Sequence, residues 1–232
     1  MQRFAKLFPN KCSVIGMVHL RALPGTPKYK DSIQQIVDKA CMEADIYVRN
    51  DVDAVLIENM HDIPYVQSKD FQPETVAVMS RVCNEVKRIL PPNIPCGVQV
   101  LACGNQEALA IAKACHLDFI RVEGFVFSHV ADEGFTNAIA GNLLRYRKQI
   151  HAEDVLIFTD VKKKHSSHSI TADISLVETA KTAEFFLSDG IILTGTSTGV
   201  AANPNELRSV KNQIEIPILV LTLRKEDYGS MM

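Results

Sequence analysis

Strand-length runs of apolar residues alternate along the chain with longer segments whose apolar residues recur at helical spacing. The short runs are rich in β-branched residues and nearly continuous in apolar character, as expected of parallel strands covered on both faces. They predict seven strands, at residues 12–19, 53–58, 96–101, 118–123, 155–160, 189–194 and 217–222. This repeated order of strand and helix is typical of an α/β protein with a parallel sheet.

Capping residues and prolines mark the ends of six predicted helices between these strands. Asp31 and Ser32 precede the first helical pattern, Pro73 opens the second helix, and Pro91 closes it. The candidate caps of the other four helices are Asn105, Thr136 or Asn137, Thr171 and Asn203. The chain is therefore interpreted as six strand–helix units followed by a last strand.

Such a repeat either closes into a (β/α)8 barrel or lies open as a doubly wound sheet. The first strand is not followed by GxGxxG, and the chain lacks GxxxxGK[ST], so two common nucleotide-binding signatures of open sheets are missing. We therefore expect the (β/α)8 TIM-barrel type. Only eleven residues follow Leu221, so the expected barrel is incomplete, with about seven strands and six helices and without the last βα unit. The gap would leave unpaired strand edges, which would allow a homo-oligomer.

Composition narrows the class of protein and of partner. With 47% hydrophobic residues and 25 basic against 27 acidic residues, the 232-residue chain predicts one soluble barrel domain over 1–232, with 223–232 as a divergent tail. The charge balance gives no electrostatic footprint for nucleic acid. The longest apolar runs are far shorter than the roughly 18 residues of a membrane-spanning helix, so no membrane span is predicted.

The cysteines and the first residues bear on the compartment. Six cysteines occur without a CxxC pair, which predicts reduced thiols and gives no support for a zinc site. Arg3, Lys6 and Lys11 occur in an N-terminal segment without an acid, as in mitochondrial presequences, but the first strand follows directly. We expect a cytoplasmic location, with the mitochondrion as the alternative.

Polar residues stand near the C-terminal ends of six predicted strands. Because side chains alternate across a strand, Arg121 and Glu123 share one face of the fourth strand, and Asp160 and Lys162 share one face of the fifth. The same rule gives a ring of His19, Glu58, Gln99, Arg121, Glu123, Asp160, Lys162 and Thr194. Barrel enzymes carry their chemistry at this mouth, so the ring predicts a site, although solvation alone also places polar residues at strand ends.

The residue types in the ring allow several roles. Glu58, Glu123 and Asp160 could act as general acid or base, or bind a divalent ion such as Mg²⁺. Lys162 could be a desolvated base, a Schiff-base former or an anion-binding group, and Arg121 suits a carboxylate or phosphate. The histidine of the ring could transfer a proton near neutral pH, or it could be an ordinary core residue.

Two loops follow the fifth and sixth predicted strands. The later loop contains Thr194, Gly195, Thr196 and Ser197, and its backbone N–H groups could bind phosphate, or the loop could be an ordinary turn. In the earlier loop, Lys163 and Lys164 are expected to be solvated and to attract a phosphorylated ligand. His165 and His168 are three positions apart and would need further ligands to hold a metal, so no metal ligand is assigned.

Six segments together resemble the BtpA/SgcQ family. They are VIGMVHLRALPG (14–25), AVLIEN (54–59), GVQVL (97–101), DFIRVE (118–123), DVK with the following Lys164 and His165 (160–165), and DGIILTG (189–195). Their order and spacing agree with the family over nearly the whole chain. The resemblance implies a barrel of the ribulose-phosphate-binding superfamily, in a family with members tied to photosystem I biogenesis and others near sugar operons.

The resemblance also selects residues. By motif position, the recurring residues of the family correspond to His19, Glu58, Asn59, Arg121, Asp160, Lys162, His165 and Thr194. Family members continue past residue 220 into a glycine-rich loop and further elements, so this chain is expected to be a shortened form. Barrels of this superfamily hold phosphate near their last strands, and the expected shortening would remove half of that pocket.

These observations predict an enzyme of the lyase, isomerase or hydrolase type that acts on a small phosphorylated or anionic sugar-like metabolite. Asp160 or Glu58 would be the acid or base, and Lys162 and Arg121 would stabilise negative charge. The candidate catalytic residues are Asp160, Lys162, Glu58, His19, Arg121 and Glu123, and the candidate ligand-binding residues are Asn59, Gln99, His165, Thr194, Gly195, Thr196 and Ser197. The alternatives are a non-catalytic assembly factor and an inactive shortened isoform. No cofactor is assigned beyond the open option of a divalent metal such as Mg²⁺.

Overall fold

A computed structural model describes residues 2–10, 12–195 and 200–221. In chain order the helices are α1 (Gln2–Leu7), α2 (Ile33–Arg49), α3 (Pro73–Ile89), α4 (Asn105–Ala114), α5 (Ala140–Gln149), α6 (Leu176–Phe185) and α7 (Pro204–Lys211). The strands are β1 (Ile15–His19), β2 (Ala54–Glu58), β3 (Cys96–Gln99), β4 (Phe119–Val122), β5 (His129–Ala131), β6 (Gly134–Thr136), β7 (Leu156–Val161), β8 (Ser166–Ser167), β9 (Gly190–Leu193) and β10 (Ile218–Val220).

The chain divides into two compact units. We call them the N-terminal unit (Gln2–Arg121 with Leu143–Leu156) and the C-terminal unit (Val122–Asn142 with Ile157–Met232, as far as it is described). Parallel strands follow the order β1-β2-β3-β4 in the first and β7-β9-β10 in the second. In the C-terminal unit, β6, β5 and β8 form a separate antiparallel sheet, in which the hairpin β5–β6 pairs with the segment that follows β7.

Two glycines identify the faces of the sheet in the N-terminal unit. The ring of Tyr47 on α2 fills the space where a Cβ of Gly16 would lie, so this face of β1 packs against a helix. The ring of Phe119 covers Gly97 in the same way on the other face, where Phe8 contacts Phe119 at 6.0 Å between ring centroids. Residues two positions away from Gly97 and Phe119 along their strands therefore share the face from which the Phe119 ring projects.

The seven predicted strands and six predicted helices all have counterparts in the structure, which also contains α1, β5, β6 and β8, none of which was predicted from the sequence. Among the described residues, each of the seven predicted strands overlaps one parallel strand, and helices α2 to α7 lie between them. Ser32 and Asn203 cap α2 and α7 as predicted, and Ser32 forms a capping box with Gln35. The α/β class is therefore confirmed. The single domain over 1–232 stays a prediction, and its tail at 223–232 lies outside the described residues.

Three predicted helix starts were wrong. Thr136 pairs with His129 in the antiparallel sheet, and neither it nor Asn137 caps α5, which begins at Ala140. Thr171 ends a 3₁₀ turn, and Ser175 caps α6 instead. Asn105 is the first residue of α4 rather than its cap. In the first two cases a polar residue of a loop was taken for a cap, because caps and turns favour the same residue types.

Three of the cysteines form a buried group in the N-terminal unit. Burial raises the pKa of the Cys96 thiol to about 12 and also raises the pKa values of Cys83 and Cys115. Because the thiolate is the reactive form, these thiols stay protonated near neutral pH. Separately, none of the helices within the described ranges has the length and apolar character that crossing a bilayer requires.

The contact between Gly97 and Phe119 gives a first prediction. G97A puts a methyl group into the Phe119 ring, so we expect the free energy of unfolding to fall by about 1–3 kcal/mol, as in other overpacked cores. In urea denaturation, the double variant G97A/F119L should lose less than the sum of the two single losses, because leucine leaves room for the methyl group. Strictly additive losses would contradict this contact.

Candidate functional site

A polar row crosses the ends of the first three strands in the N-terminal unit. His19 is the register partner of Glu58, and Glu58 is the partner of Gln99. His19 Nε2 lies 3.3 Å from Glu58 Oε2, and the two side chains are 39% and 9% exposed. Gln99 lies two residues after Gly97, on the face covered by Phe119. The structure therefore brings together three of the predicted site residues.

Gln99 is the most buried member of this row. It is 1% exposed, and neither Oε1 nor Nε2 has a hydrogen-bond partner in the described part of the chain. Arg121 stands two residues after Phe119 and is also buried. It belongs to the N-terminal unit, whereas Glu123 belongs to the C-terminal unit.

Asn59 joins the loops that follow β1, β2 and β3. Its Nδ2 donates to Asp62 Oδ2 (2.8 Å) and to Leu101 O (3.1 Å), and its Oδ1 accepts from Leu101 N (2.7 Å). Asp62 Oδ1 in turn accepts from Leu23 N (2.7 Å). Burial raises the pKa of Asp62 above its ordinary value, and the bonds from Leu23 and Asn59 oppose that shift. This network holds the ends of the strands that carry the polar row, and sequence reasoning missed Asp62.

The C-terminal unit contains a pocket beside the end of β7. We call it the β7 pocket; its walls are formed by Gly124, Val126, Phe127, His129, Asp160, Lys162, Lys163, His168, Thr171 and Thr179. Asp160 and Lys162 are predicted site residues that lie here, and both lysines at 162 and 163 line the same space. In an extended strand, consecutive side chains would point to opposite faces. Lys162 has φ 45, so the extended alternation of β7 stops at Val161.

Lys163 was expected to be solvated, and that expectation is wrong. Its ammonium lies 2.8 Å from Glu123 Oε1 and 3.8 Å from Glu133 Oε1, and the side chains of Lys163 and Glu123 are only 10% and 5% exposed. The left-handed conformation of Lys162 redirects the chain, which turns Lys163 inward. The residue type could not reveal this, because a run of lysines after a strand is usually solvated.

Lys162 has different surroundings from Lys163. Its Nζ donates to Thr171 O at 3.2 Å, which is a neutral acceptor. Within the residues that the structure describes, no carboxylate forms an ion pair with this ammonium. Asp160, which lines the same pocket, is buried and is the register partner of Ile192 on β9.

His129 is a pocket residue that the sequence analysis did not select. Its Nδ1 donates to Phe127 O in a long bond of 3.5 Å, which leaves Nε2 as an acceptor with no partner among the described residues. The ring contacts that of His168 with centroids 5.1 Å apart, and His168 Nε2 donates to Lys163 O. Burial lowers the pKa of His129, so the imidazole is neutral near pH 7. The position of His129 depends on the pairing of β5 with β8. Strands this short have no hydrophobic periodicity from which the pairing could be predicted.

The remaining predicted residues of the C-terminal unit lie around this region. Thr194 Oγ1 accepts from Lys164 N at 3.2 Å, so Lys164 is held through its backbone. His165 Nδ1 lies 3.9 Å from Asp132 Oδ2, and both side chains are exposed. Gly195 contacts the backbone of Val200, where a side chain would overlap the Val200 carbonyl. Thr196 and Ser197 lie outside the described residues.

The sequence leaves open whether the chain binds a divalent metal ion. Over residues 2–10, 12–195 and 200–221, no group of three His, Cys, Asp or Glu side chains is arranged to hold a metal ion. The carboxylates considered for Mg²⁺ are divided between the units, with Glu58 in the N-terminal unit and Glu123 and Asp160 in the C-terminal unit.

Comparison with known proteins identifies relatives over most of the chain. The sequence model of the BtpA family matches residues 10–227. An uncharacterized mitochondrial protein of Caenorhabditis elegans is 48% identical over 210 residues, which are 89% of this chain and 76% of that protein. The photosystem I biogenesis protein BtpA of Synechocystis is 31% identical over 215 residues, which are 92% of this chain and 73% of that protein.

Solved structures resemble the fold at low sequence identity. The N-acetylmannosamine-6-phosphate 2-epimerase from Clostridium perfringens matches with a TM-score of 0.53 and 12% identity, over 89% of this chain and 74% of the epimerase. At this identity the likeness shows the fold alone. Together with the seven parallel strands of the described residues, it confirms an incomplete barrel of the (β/α)8 TIM-barrel type.

The buried ion pair in the β7 pocket gives a second prediction. K163M leaves the Glu123 carboxylate buried without its cation, so we expect a loss of about 3–5 kcal/mol in the free energy of unfolding. K163M/E123Q should lose less than K163M, because the charge that Lys163 balances is also removed.

The matched control is K148M, which breaks the exposed pair between Lys148 and Glu153 and should cost at most about 1 kcal/mol. Chemical denaturation of the three variants and the wild-type chain measures the losses. Equal losses for K163M and K148M would show that Lys163 is solvated after all.

Proposed function

Because this chain belongs to the BtpA family, we propose that it is a barrel enzyme that binds a small anionic, sugar-like metabolite in the β7 pocket. The anionic group is a phosphate or a carboxylate. The reaction is a proton transfer beside a carbonyl group, as in lyases and isomerases.

The observation that carries the proposal is the contrast between two consecutive lysines in one pocket. Lys163 is neutralised by Glu123, whereas Lys162 lines the pocket with a carbonyl oxygen as the one acceptor that the described residues give it. An ammonium on a concave surface attracts anions, and a carboxylate or phosphate oxygen would supply the charge that Lys162 lacks.

Asp160 supplies the acid–base group in this proposal. Asp160 lines the same pocket as Lys162. A carboxylate beside a ligand carbonyl accepts a proton from the neighbouring carbon, and an ammonium stabilises the negative oxygen that develops. Lys163 and Glu123 hold the pocket in shape.

In the N-terminal unit, Glu58 is the alternative acid–base group, with His19 as a proton donor and Arg121 as an anion-binding group. The proposed ligand contacts elsewhere are Gln99, His165, Thr194 and Gly195, whereas Asn59, whose amide is bonded to Asp62 and Leu101, is proposed to hold the loops.

A second candidate is a non-catalytic assembly factor. The Synechocystis relative carries the name of a photosystem I biogenesis protein, which favours this class by relationship. For such a factor the pocket would be an inherited feature, so substitutions at Asp160 and Lys162 that leave the fold intact would also leave its activity intact.

The compartment is a separate proposal. The name of the Caenorhabditis elegans relative favours the mitochondrial alternative for this chain over the cytoplasmic one.

The third prediction concerns K162M and D160N. We expect K162M to weaken binding of a sugar phosphate at least tenfold in calorimetry at 0.15 M salt, because the anion loses its cation. D160N should keep the affinity within about threefold but abolish deuterium incorporation from D₂O into the carbon beside the carbonyl, as followed by NMR.

K181M is the matched control, since Lys181 is an exposed lysine on α6 of the same unit and its loss changes the net charge equally. It should bind as the wild-type chain does. Binding by K162M as tight as wild-type binding would contradict the proposal, and deuterium exchange retained in D160N would remove Asp160 from the mechanism.

A further inference from the structure

Gln99 in the N-terminal unit is buried without a hydrogen bond. Its amide is 1% exposed, and in the described residues neither Oε1 nor Nε2 has a partner. An amide taken out of water without a partner destabilises the folded state. Nearly all buried polar groups in proteins are bonded, so an exception of this kind indicates a group that something other than the polypeptide satisfies.

The neighbours of Gln99 are fixed by strand register. Glu58 is its partner on β2, and His19 is the partner of Glu58 on β1. Parallel strands lie about 4.8 Å apart, so these three side chains lie side by side. They share the face of the sheet from which the Phe119 ring projects. His19 is the exposed end of the row, and Gln99 is the buried end.

We propose that the row of His19, Glu58 and Gln99 is a binding site for an uncharged molecule with several hydroxyl groups, a polyol or a sugar. A hydroxyl both donates and accepts, and the Gln99 amide offers one acceptor and two donor hydrogens, while the Glu58 carboxylate accepts. On the next strand Arg121 is level with Gln99 and is buried on the same face, so its positive charge offsets the Glu58 carboxylate, and this face presents no excess of either charge to an ion. The ligand enters at His19, replaces its contact with Glu58 and reaches Gln99.

Asn59, in the same unit, is a buried amide whose hydrogen bonds are made by the polypeptide itself. It follows Glu58 directly and is also 1% exposed, yet it is bonded to Asp62 and to both backbone groups of Leu101. The two amides therefore differ in their bonds rather than in their burial. This difference makes Asn59 a matched control for Gln99.

The experiment compares Q99L and N59L with the wild-type chain. Without ligand, Q99L should melt at the same temperature as the wild-type chain or up to about 5 °C higher, because leucine of similar size removes an unbonded amide. N59L should melt several degrees lower, because it leaves Asp62 and Leu101 without their partner. Ribitol and D-ribose serve as probes in saturation-transfer NMR titrations, and Q99L should bind them at least tenfold more weakly than the wild-type chain.

Three results would overturn the inference. A melting temperature lowered in Q99L as much as in N59L would assign Gln99 a structural role. Equal probe affinity in Q99L and the wild-type chain would exclude the amide from the site. A wild-type chain that binds neither ribitol nor D-ribose would refute the ligand class. The sugar phosphate titrations are a separate readout: a wild-type chain that binds ribitol and D-ribose but no sugar phosphate would support this row and contradict the β7 pocket proposal.

Discussion

Parallel register is the constraint on which the rest of this structure depends. Register partners on neighbouring parallel strands lie side by side on the same face of the sheet. Residues that are far apart in the sequence therefore become neighbours in space. His19, Glu58 and Gln99 become one row in the N-terminal unit, although they belong to three separate strand–helix repeats. In the C-terminal unit the same rule sets Asp160 level with Ile192, and the chain leaves β7 immediately afterwards.

Polar groups that are buried or half-buried fall into two classes in both units. Asn59 and Lys163 are satisfied by the polypeptide, through an amide network in one case and a carboxylate in the other. Their removal is expected to destabilise the fold. Gln99 lacks any hydrogen bond and Lys162 lacks a counter-charge among the described residues. Such groups cost stability in the free protein, and a ligand that satisfies them gains binding energy.

Sequence reasoning succeeded where a local period carries the information. The two-residue period of strands placed His19, Glu58 and Gln99 on one face, because nothing interrupts the extended chain there. It failed at Lys163, because the left-handed φ of Lys162 breaks the alternation of side chains. A lysine at this position gives no sign of a left-handed backbone. It also missed His129, whose position comes from the pairing of β5 with β8 across more than thirty residues. Long-range pairing of strands this short leaves no trace in local composition.

The most direct test of the β7 pocket is a crystal structure of the full chain soaked in sodium selenate, whose anomalous signal locates an anion without ambiguity. We predict a selenate within about 3 Å of Lys162 Nζ in the wild-type chain and none at that place in K162M. An empty pocket in the wild-type crystal, or a selenate that occupies the same position in K162M, would contradict the account.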